Sequence, residues 1–282
     1  MRISVLASGS GGNCVIVDSG HPEGGALLID AGISPREVGR RLDRLPSPPA
    51  VDRIGALFLT HEHGDHARAT GAFIDAGVRV HATDGTRSAL GLPNHRFSTV
   101  RDGEPVRVGE LVIEPVAVPH DAAEPVGYLV SDGITRAGVI VDCGRDDAEV
   151  ARRFANVNLL VIEFNYDEML LDAGPYPPWL KRRIAGPRGH LSNVQAASLL
   201  RQILDAGAPP RLVVLAHLSE ANNRPRIARQ AALDVVKKKC RVLVAAQDEP
   251  TPWLDPLADD GRAVDVLVGE QLGLRLQSCP HD

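Results

Sequence analysis

Residues 60–66 constrain this chain more than any other segment of it. They read Thr-His-Glu-His-Gly-Asp-His, so three imidazoles and one carboxylate follow the spacing HxHxDH. The apolar run at 54–59 precedes them and predicts a buried strand. Side chains two residues apart on a strand share a face, so His61 and His63 point to the same side. The turn that follows carries the last two ligands of the motif to a second position.

This concentration of ligands predicts a metal centre. Imidazole nitrogens beside a carboxylate suit zinc and similar divalent ions. Their crowding into one short segment favours two ions over one. The alternative is a polar turn with internally bonded histidines, and it accounts poorly for so many ligands in so few positions. The ligand types do not separate zinc from manganese.

Four further polar residues stand where other apolar runs end. These residues are Asp30, His120, Asp142 and His217. An Asp or His after a strand is most often a turn former when it is considered alone. The same placement at several strand ends predicts that these residues lie together, as ligands or as supports for ligands.

The motif and the strand-end residues resemble, in their order along the chain, the metallo-β-lactamase superfamily. That resemblance implies an α/β fold of four αββα layers, a sandwich of two sheets covered by helices. It also implies a dinuclear site with Asp142 as the bridging ligand and Asp30 as a support behind the ligands. The implied sets are His61, His63 and His120 for one ion, and Asp65, His66 and His217 for the other.

The pattern of short β-branched runs and helical stretches predicts one domain over residues 1–282, since no linker rich in Pro, Gly or Ser divides it. Strands are predicted at 2–7, 14–17, 26–29, 54–59, 78–81, 106–108, 111–118, 126–130, 134–141, 158–162, 211–216, 241–245, 264–268 and 272–276. Helices are predicted at 34–45, 146–155, 193–206 and 225–239.

Composition excludes several classes of protein. Hydrophobic residues make up 44% of the chain, enough for a sizeable core. No stretch approaches the ~18 apolar residues of a membrane span, so we expect no membrane partner. The four cysteines are widely separated and form no CxxC pair. They argue against a disulfide framework and a structural zinc site, and they predict a cytoplasmic location.

A second motif at 189–193 reads Gly-His-Leu-Ser-Asn and directly opens a predicted helix. His190 offers an imidazole, Ser192 offers a hydroxyl, and the helix start offers free N–H groups. Together these groups suit a phosphate. The alternative makes Ser192 or Asn193 a plain helix cap and His190 an incidental loop residue. That alternative suits Ser192 better than His190.

The glycine-rich segment 8–13 does not match a dinucleotide-binding fingerprint. Cys14 stands where the third glycine would be, and a strand follows where the fingerprint requires a helix. Two interpretations stay open. The segment is either a tight hairpin or an anion-facing loop in which Ser8, Ser10 and Asn13 contact the substrate.

These two motifs, with residues 163–170 and 175–184 between them, closely resemble the YycJ/WalJ-like branch of the superfamily. That resemblance implies a 5′→3′ exonuclease that acts on DNA ends, although the net charge of −5 alone predicts no nucleic-acid partner. The branch often carries His where this chain has Tyr166, which leaves a substrate role at that position open. The expected substrate contacts are Ser8, Ser10, Asn13, Ser192, Asn193, Ser219, Asn222 and Asn223.

The chemistry expected is phosphodiester hydrolysis by two ions that share a bridging water and make hydroxide from it at neutral pH. Asp65 would bind one ion and accept a hydrogen bond from the hydroxide. His190 would stabilise charge on the phosphoryl oxygens and protonate the leaving oxygen. A small-molecule hydrolase of thioesters, lactones or cyclic phosphodiesters and a tRNA-processing ribonuclease stay open as alternatives. The intact ligand set disfavours a non-catalytic nucleic-acid protein.

Overall fold

Two β-sheets pack face to face in the computed structural model, and helices cover the outer face of each sheet. The structure describes residues 1–21, 25–92, 94–237 and 239–257. Buried side chains of both sheets meet in the central core, among them Phe58 from one sheet and Tyr128 and Val161 from the other. Separate cores lie between each sheet and its helices. The predicted α/β sandwich is therefore confirmed.

Within the part of the chain that the structure describes, the first sheet contains six strands whose order in space equals their order in the chain. They are β1 (Arg2–Ala7), β2 (Cys14–Asp18), β3 (Ala26–Ile29), β4 (Ile54–Phe58), β5 (Arg79–Ala82) and β6 (Phe97–Thr99). The first three strands pair antiparallel, and β3 to β6 run parallel. The helices in this half are α1 (Pro35–Leu42), α2 (Gly64–Ala67), α3 (Thr70–Asp75) and α4 (Asp84–Leu90).

Among the described residues, the second sheet contains seven strands, again in chain order across the sheet. They are β7 (Val106–Val108), β8 (Leu111–Ala117), β9 (Val126–Ser131), β10 (Arg136–Ile140), β11 (Leu159–Glu163), β12 (Leu212–Ala216) and β13 (Arg241–Val244). Strands β7 to β10 pair antiparallel, and β10 to β13 run parallel. The helices in this half are α5 (Ala148–Arg153), α6 (Glu168–Ala173), α7 (Pro178–Ile184), α8 (Asn193–Ala206) and α9 (Pro225–Val236).

Strands of the inner layers are buried on both faces, which explains why they read as continuous apolar runs. In β2, Val15 and Val17 face the core between the sheets. Their neighbours Cys14 and Ile16 face the core under the helices. This alternation follows the two-residue period of a strand.

The carboxyl ends of the parallel strands gather the loops that carry the predicted site. Neighbouring parallel strands end at the same edge of a sheet, and the adjoining loops lie side by side. At this edge Asp30, Asp142 and His217 adopt left-handed backbone conformations, with φ of 66°, 55° and 55°. Such conformations are uncommon outside glycine and concentrate at functional sites.

Most predicted elements are confirmed to within a few residues, and the missed ones are short. Helix α1 begins as its sequence indicates, since the Ser34 side chain accepts a hydrogen bond from the Glu37 N–H. Helix α9 ends at Val236, before the predicted boundary. The sequence did not predict β6 or helices α2, α3, α4, α6 and α7, and the longest of these has seven residues. Such elements are too short to show a helical period.

The predicted strand pair at 264–268 and 272–276 lies outside the described residues. The interpretation of residues 1–282 as one domain therefore stays a prediction. Within the ranges that the structure describes, no helix combines the length and apolar character needed to cross a bilayer.

Candidate metal centre and active-site cleft

The seven predicted metal ligands lie together at the carboxyl-end edge of the two sheets. Their ligand atoms form two groups, and within each group these atoms lie within 4.8 Å of one another. One group is His61, His63, His120 and Asp142, and the other is Asp65, His66, Asp142 and His217. The groups match the ligand sets expected from the sequence, and the binding of metal by them stays a prediction.

Asp142 is the residue shared by both groups. Its Oδ2 lies 3.2 Å from Nε2 of His61 and 2.9 Å from Nε2 of His66. Its Oδ1 lies 2.8 Å from Nδ1 of His217. The side chain is buried, so its charge is directed at these imidazoles and away from solvent.

Two buried atoms at this centre indicate that the residues fit a divalent cation. His61 Nε2 lies 3.2 Å from Asp142 Oδ2, and Asp142 Oδ1 lies 2.8 Å from His217 Nδ1, yet neither His61 Nε2 nor Asp142 Oδ1 makes a hydrogen bond of acceptable geometry among the described residues. Buried polar atoms are nearly always bonded, so such atoms call for a missing partner. Imidazole nitrogens and carboxylate oxygens are the donors that zinc and manganese accept. This donor set therefore fits the expected ions.

Neighbouring residues orient the ligands. His66 Nδ1 donates to Asp30 Oδ2 at 2.7 Å, and the Thr60 N–H donates to the same carboxylate at 2.8 Å. His120 Nδ1 donates to the Gly189 carbonyl at 2.8 Å. Each bond leaves Nε2 of its imidazole turned toward the ligand group. The support predicted for Asp30 agrees with this geometry.

The histidines of the first group are held in the form that binds metal. Burial lowers the pKa of His61, His63 and His120. Neighbouring imidazoles lower these pKa values further, His66 acting on His61 and His120 acting on His63. A neutral imidazole keeps a free lone pair, and a metal ligand needs one.

Sequence reasoning missed Glu163 as a member of the site. This fully buried residue ends β11. Its Oε1 lies 2.8 Å from Nδ1 of His190 and 3.1 Å from Nδ1 of His217. Its Oε2 accepts hydrogen bonds from the N–H groups of Cys143 and Leu191, at 2.9 and 3.2 Å. The available signal was its position at the end of an apolar run, as for Asp142 and the other strand-end ligands.

His190 lies beside the two ligand groups. Its Nδ1 is 3.3 Å from Asp142 Oδ1 as well as 2.8 Å from Glu163 Oε1. Burial opposes its charged form, but the carboxylates of Glu163 and Asp142 raise the pKa of His190 to about 9. The ring is therefore protonated near neutral pH and can donate a proton.

A cleft of about 340 Å³ opens over these groups. Metal-group residues and His190 line it, together with residues of α7 and of the segment before that helix. The side chains that line it include His63, Asp65, Asp142, His190, His217, Tyr176, Leu180, Arg183 and Ile184. The cleft places a bound molecule against both the ligand groups and His190.

Of the predicted substrate contacts, Ser10 and Ser219 line this cleft. Ser8 is buried, and its hydroxyl accepts a hydrogen bond from the His217 N–H at 2.7 Å. Asn13 is also buried, and its amide nitrogen lies 3.0 Å from His66 Nε2. Ser8 and Asn13 therefore position ligand residues.

The glycine-rich segment is a turn whose N–H groups are already bonded within the protein. The Gly9 N–H donates to Asn13 Oδ1 at 2.8 Å, and the Gly12 N–H donates to the Gly9 carbonyl at 2.9 Å. The Gly11 N–H donates to Gln247 Oε1 at 2.9 Å. An anion-facing loop needs such groups free, so the geometry favours the hairpin interpretation.

The other predicted contacts form buried hydrogen bonds around the cleft. Ser192 caps α8 by accepting from the Gln195 N–H at 3.2 Å. The amides of Asn193 and Asn223 bond each other at 3.0 and 2.9 Å. The Asn222 amide donates to Ser219 Oγ at 3.2 Å. Ser192 and these three asparagines do not line the cleft over the metal-ligand groups.

Known proteins resemble this chain both in sequence and in structure. A family model described as "Beta-lactamase superfamily domain" matches residues 26–218. The chain is 30% identical over 247 residues to the exodeoxyribonuclease YycJ of Bacillus anthracis, covering 85% of this chain and 90% of that protein. The metallo-beta-lactamase fold protein YhfI from Bacillus subtilis has a similar structure, with TM-score 0.66, 15% identity and coverage of 89% of this chain and 98% of that one. Zn²⁺-bound PqqB from Methylobacterium extorquens gives TM-score 0.66, 18% identity and coverage of 89% and 99%.

Proposed function

This chain belongs to the metallo-β-lactamase superfamily as one of its hydrolases, and from that premise we propose a phosphodiesterase that hydrolyses DNA from its ends, 5′→3′, with two divalent metal ions. The observation that carries this proposal is the pair of ligand groups that share Asp142, with His190 beside them in one cleft. The similarity to a protein named as an exodeoxyribonuclease supports a nucleic-acid substrate over a small molecule.

In this proposal the two ligand groups each hold one ion, zinc or manganese. When bound, such ions supply Lewis acids that activate water and offset charge on phosphoryl oxygens. Asp142 contributes to both groups, and Asp65 presents its carboxylate to the cleft from the second group. Asp65 is then placed to orient the attacking water by accepting a hydrogen bond from it.

His190 acts on the leaving side of the phosphate. Its Nδ1 is held by Glu163, so its Nε2 is the ring nitrogen left for a substrate. A cation at this position stabilises negative charge that develops on the phosphoryl oxygens. The same ring then gives its proton to the leaving oxygen, and a general acid of this kind contributes ~10²–10⁴ in rate.

Two further observations bear on partner and location. Arg183 lines the cleft, where its Nε lies 2.5 Å from Asp121 Oδ2, and it brings positive charge close to a bound phosphate. The described cysteines, Cys14, Cys143 and Cys240, are free thiols. Free thiols support the predicted cytoplasmic location.

The first experiment compares duplex DNA labelled at its 5′ or its 3′ end after incubation with the metal-loaded protein. We expect mononucleotides to be released from the 5′ end, and a chelator to stop the release. His190→Ala should lower turnover ~10²–10⁴-fold with unchanged metal content. His95→Ala, which removes an exposed histidine outside the cleft, serves as the matched control.

Two results would contradict the proposal in different ways. Intact DNA in the presence of fully loaded protein would exclude the nuclease and redirect the search to thioesters, lactones and cyclic phosphodiesters. If His190→Ala lowers turnover only severalfold, the general-acid role of His190 is wrong, whereas the nuclease function is not contradicted.

A further inference from the structure

The part of the cleft lining that α7 and the segment before it provide is largely apolar, and we call it the apolar wall. Tyr176, Leu180 and Ile184 line it, with Arg183 among them. Leu180 and Ile184 are four positions apart on α7 and therefore share a face of the helix. All three apolar side chains are half-buried, so part of each remains available to a ligand.

The segment that presents Tyr176 is rigid. Prolines at 175, 177 and 178 restrict the backbone on both sides of it. Just before them, a Cβ placed on Gly174 would lie 2.7 Å from Asn222 Oδ1, so the chain packs directly against the neighbouring loop. An aromatic side chain on a stiff backbone loses little conformational entropy when it binds a ligand.

Helix α7 is also fixed relative to the ligand groups. Arg183 Nε donates to Asp121, the residue that follows His120. His120 Nδ1 donates to the carbonyl of Gly189, where an added Cβ would lie 2.2 Å from the carbonyl oxygens of Arg183 and Ile184. The same short segment thus touches both a ligand histidine and the helix. The spacing between the apolar wall and the ligand groups is therefore set by direct contacts.

We propose that Tyr176, with Leu180 and Ile184, binds the base of the nucleotide whose phosphate is hydrolysed, an inference that rests on the phosphodiesterase function proposed above. Every base has a π-face, so an aromatic ring accepts any of them by stacking. Stacking on one aromatic residue typically contributes about 5- to 160-fold in affinity. Leu180 and Ile184 extend the apolar surface along the helix.

The size of the cleft is compatible with a bound nucleotide. Its volume of about 340 Å³ is near the lower limit of the ~300–1,000 Å³ typical of small-ligand sites. A single-stranded end is the simplest substrate that can place one base against Tyr176.

The test compares two single-stranded oligonucleotides that differ only at the attacked end, where the terminal nucleotide either carries its base or is abasic. The wild-type protein should cleave the abasic substrate with kcat/KM about 5- to 160-fold lower, mainly through a higher KM. Tyr176→Leu keeps an apolar side chain but no ring. This variant should slow cleavage of the natural substrate only, so that both oligonucleotides are cleaved with similar kcat/KM. Tyr176→Phe keeps the ring and should preserve the wild-type difference in kcat/KM between the two oligonucleotides.

Trp179→Ala is the matched control, since Trp179 lies on α7 with 61% of its surface exposed and does not line the cleft. Metal content and melting temperature of each variant verify that the fold is kept. Equal cleavage of both oligonucleotides by the wild-type protein, or equal slowing of both by Tyr176→Leu, would overturn the base site and leave the nuclease intact. Cleavage of neither would overturn the proposed function and the base site with it.

Discussion

Glu163 combines two tasks that a single substitution can separate. One carboxylate oxygen faces the rings of His190 and His217, and the other accepts from two backbone N–H groups. The first contact depends on negative charge, because it favours a proton on His190. The second needs only an acceptor oxygen, which an amide also provides.

Glu163→Gln should therefore lose catalysis and keep the fold. The amide oxygen can still accept from Cys143 and Leu191, whereas the amide NH₂ would donate to His190 Nδ1 and hold that ring neutral. We expect turnover to fall ~10²–10⁴-fold, as for His190→Ala, with a nearly unchanged melting temperature. Glu163→Ala should be destabilised as well, since each buried N–H left unbonded costs about 1–3 kcal/mol.

The double variant that combines Glu163→Gln with His190→Ala provides the control. When two residues act as a unit, the losses of turnover caused by the two substitutions do not add in free energy. Turnover of Glu163→Gln within severalfold of wild type would refute this coupling. A double variant whose loss equals the product of the two single losses would refute it as well.

Individual site residues differed in how well the sequence revealed them. The ligands of the 60–66 motif were predictable because they lie close together in the sequence. So many histidines in one short segment have few roles other than metal binding. Glu163 was not, since its ring partners are 27 and 54 residues away and glutamate is usually a surface residue. Ser192 carried a pattern that fits a phosphate site and a helix cap equally, and only its buried capping box decides for the cap.

At the scale of elements, Gly32 marks the point where three loops meet backbone to backbone. The Gly32 N–H donates to the Asn13 carbonyl at 2.9 Å, and the Asn13 N–H donates to the Asp65 carbonyl at 2.7 Å. A Cβ on Gly32 would lie 1.9 Å from that Asp65 oxygen. No side chain fits there, because the obstacle is backbone.

Gly32→Ala should consequently force the Asp65 loop outward. We expect a loss of about 1–3 kcal/mol or more in the free energy of unfolding, measured in urea, together with weaker metal binding. Gly71→Ala in α3 is the matched control, since a Cβ there meets nothing within 4 Å. The control should be neutral or slightly stabilising, because alanine favours helix. Full stability and full metal content in Gly32→Ala would contradict this account.

The elements themselves were predicted in proportion to their length. Strands of the inner layers and α8 carry enough residues to show an apolar run or a helical repeat. Helices α2 and α7 have four and seven residues, and their positions are set by what they contact. Both carry side chains of the cleft, Asp65 on α2 and Leu180 on α7. The parts of the cleft that lie on short elements were therefore the hardest to foresee.

At the scale of the whole molecule, the ligand groups connect the two sheets. His61 lies in the loop after β4 of the first sheet, and His66 lies on α2, which follows that loop. His120, Asp142 and His217 follow strands β8, β10 and β12 of the second sheet. Ions held by these residues would act as cross-links between the two layers.

Removal of the metal should therefore destabilise the entire fold. An ion present at a hundred times its dissociation constant adds about 2.7 kcal/mol to the stability of the native state, so chelation should lower the melting temperature. Asp142→Asn, which weakens both groups, should melt at the same temperature with and without chelator. Asp52→Asn alters an exposed carboxylate elsewhere and should keep the wild-type response. A melting temperature that ignores chelator in metal-loaded wild-type protein would refute the cross-link.

The order of ligands along the chain was sufficient to predict the sandwich. It was not sufficient to predict which side chains meet, because those contacts join residues from both sheets. The Ser8 hydroxyl and the His217 N–H, for example, are separated by 209 positions. No periodicity in a single sequence encodes a contact of that kind.

The left-handed strand ends limit how this centre can be re-engineered. Asp30, Asp142 and His217 occupy a backbone region that Gly, Asn, Asp and His enter most readily. A thiolate or a longer carboxylate, introduced there to change the preferred metal, would bring conformational strain along with the new donor atom. Libraries for altered metal selectivity have more freedom at His63 and His120, whose φ angles are not positive.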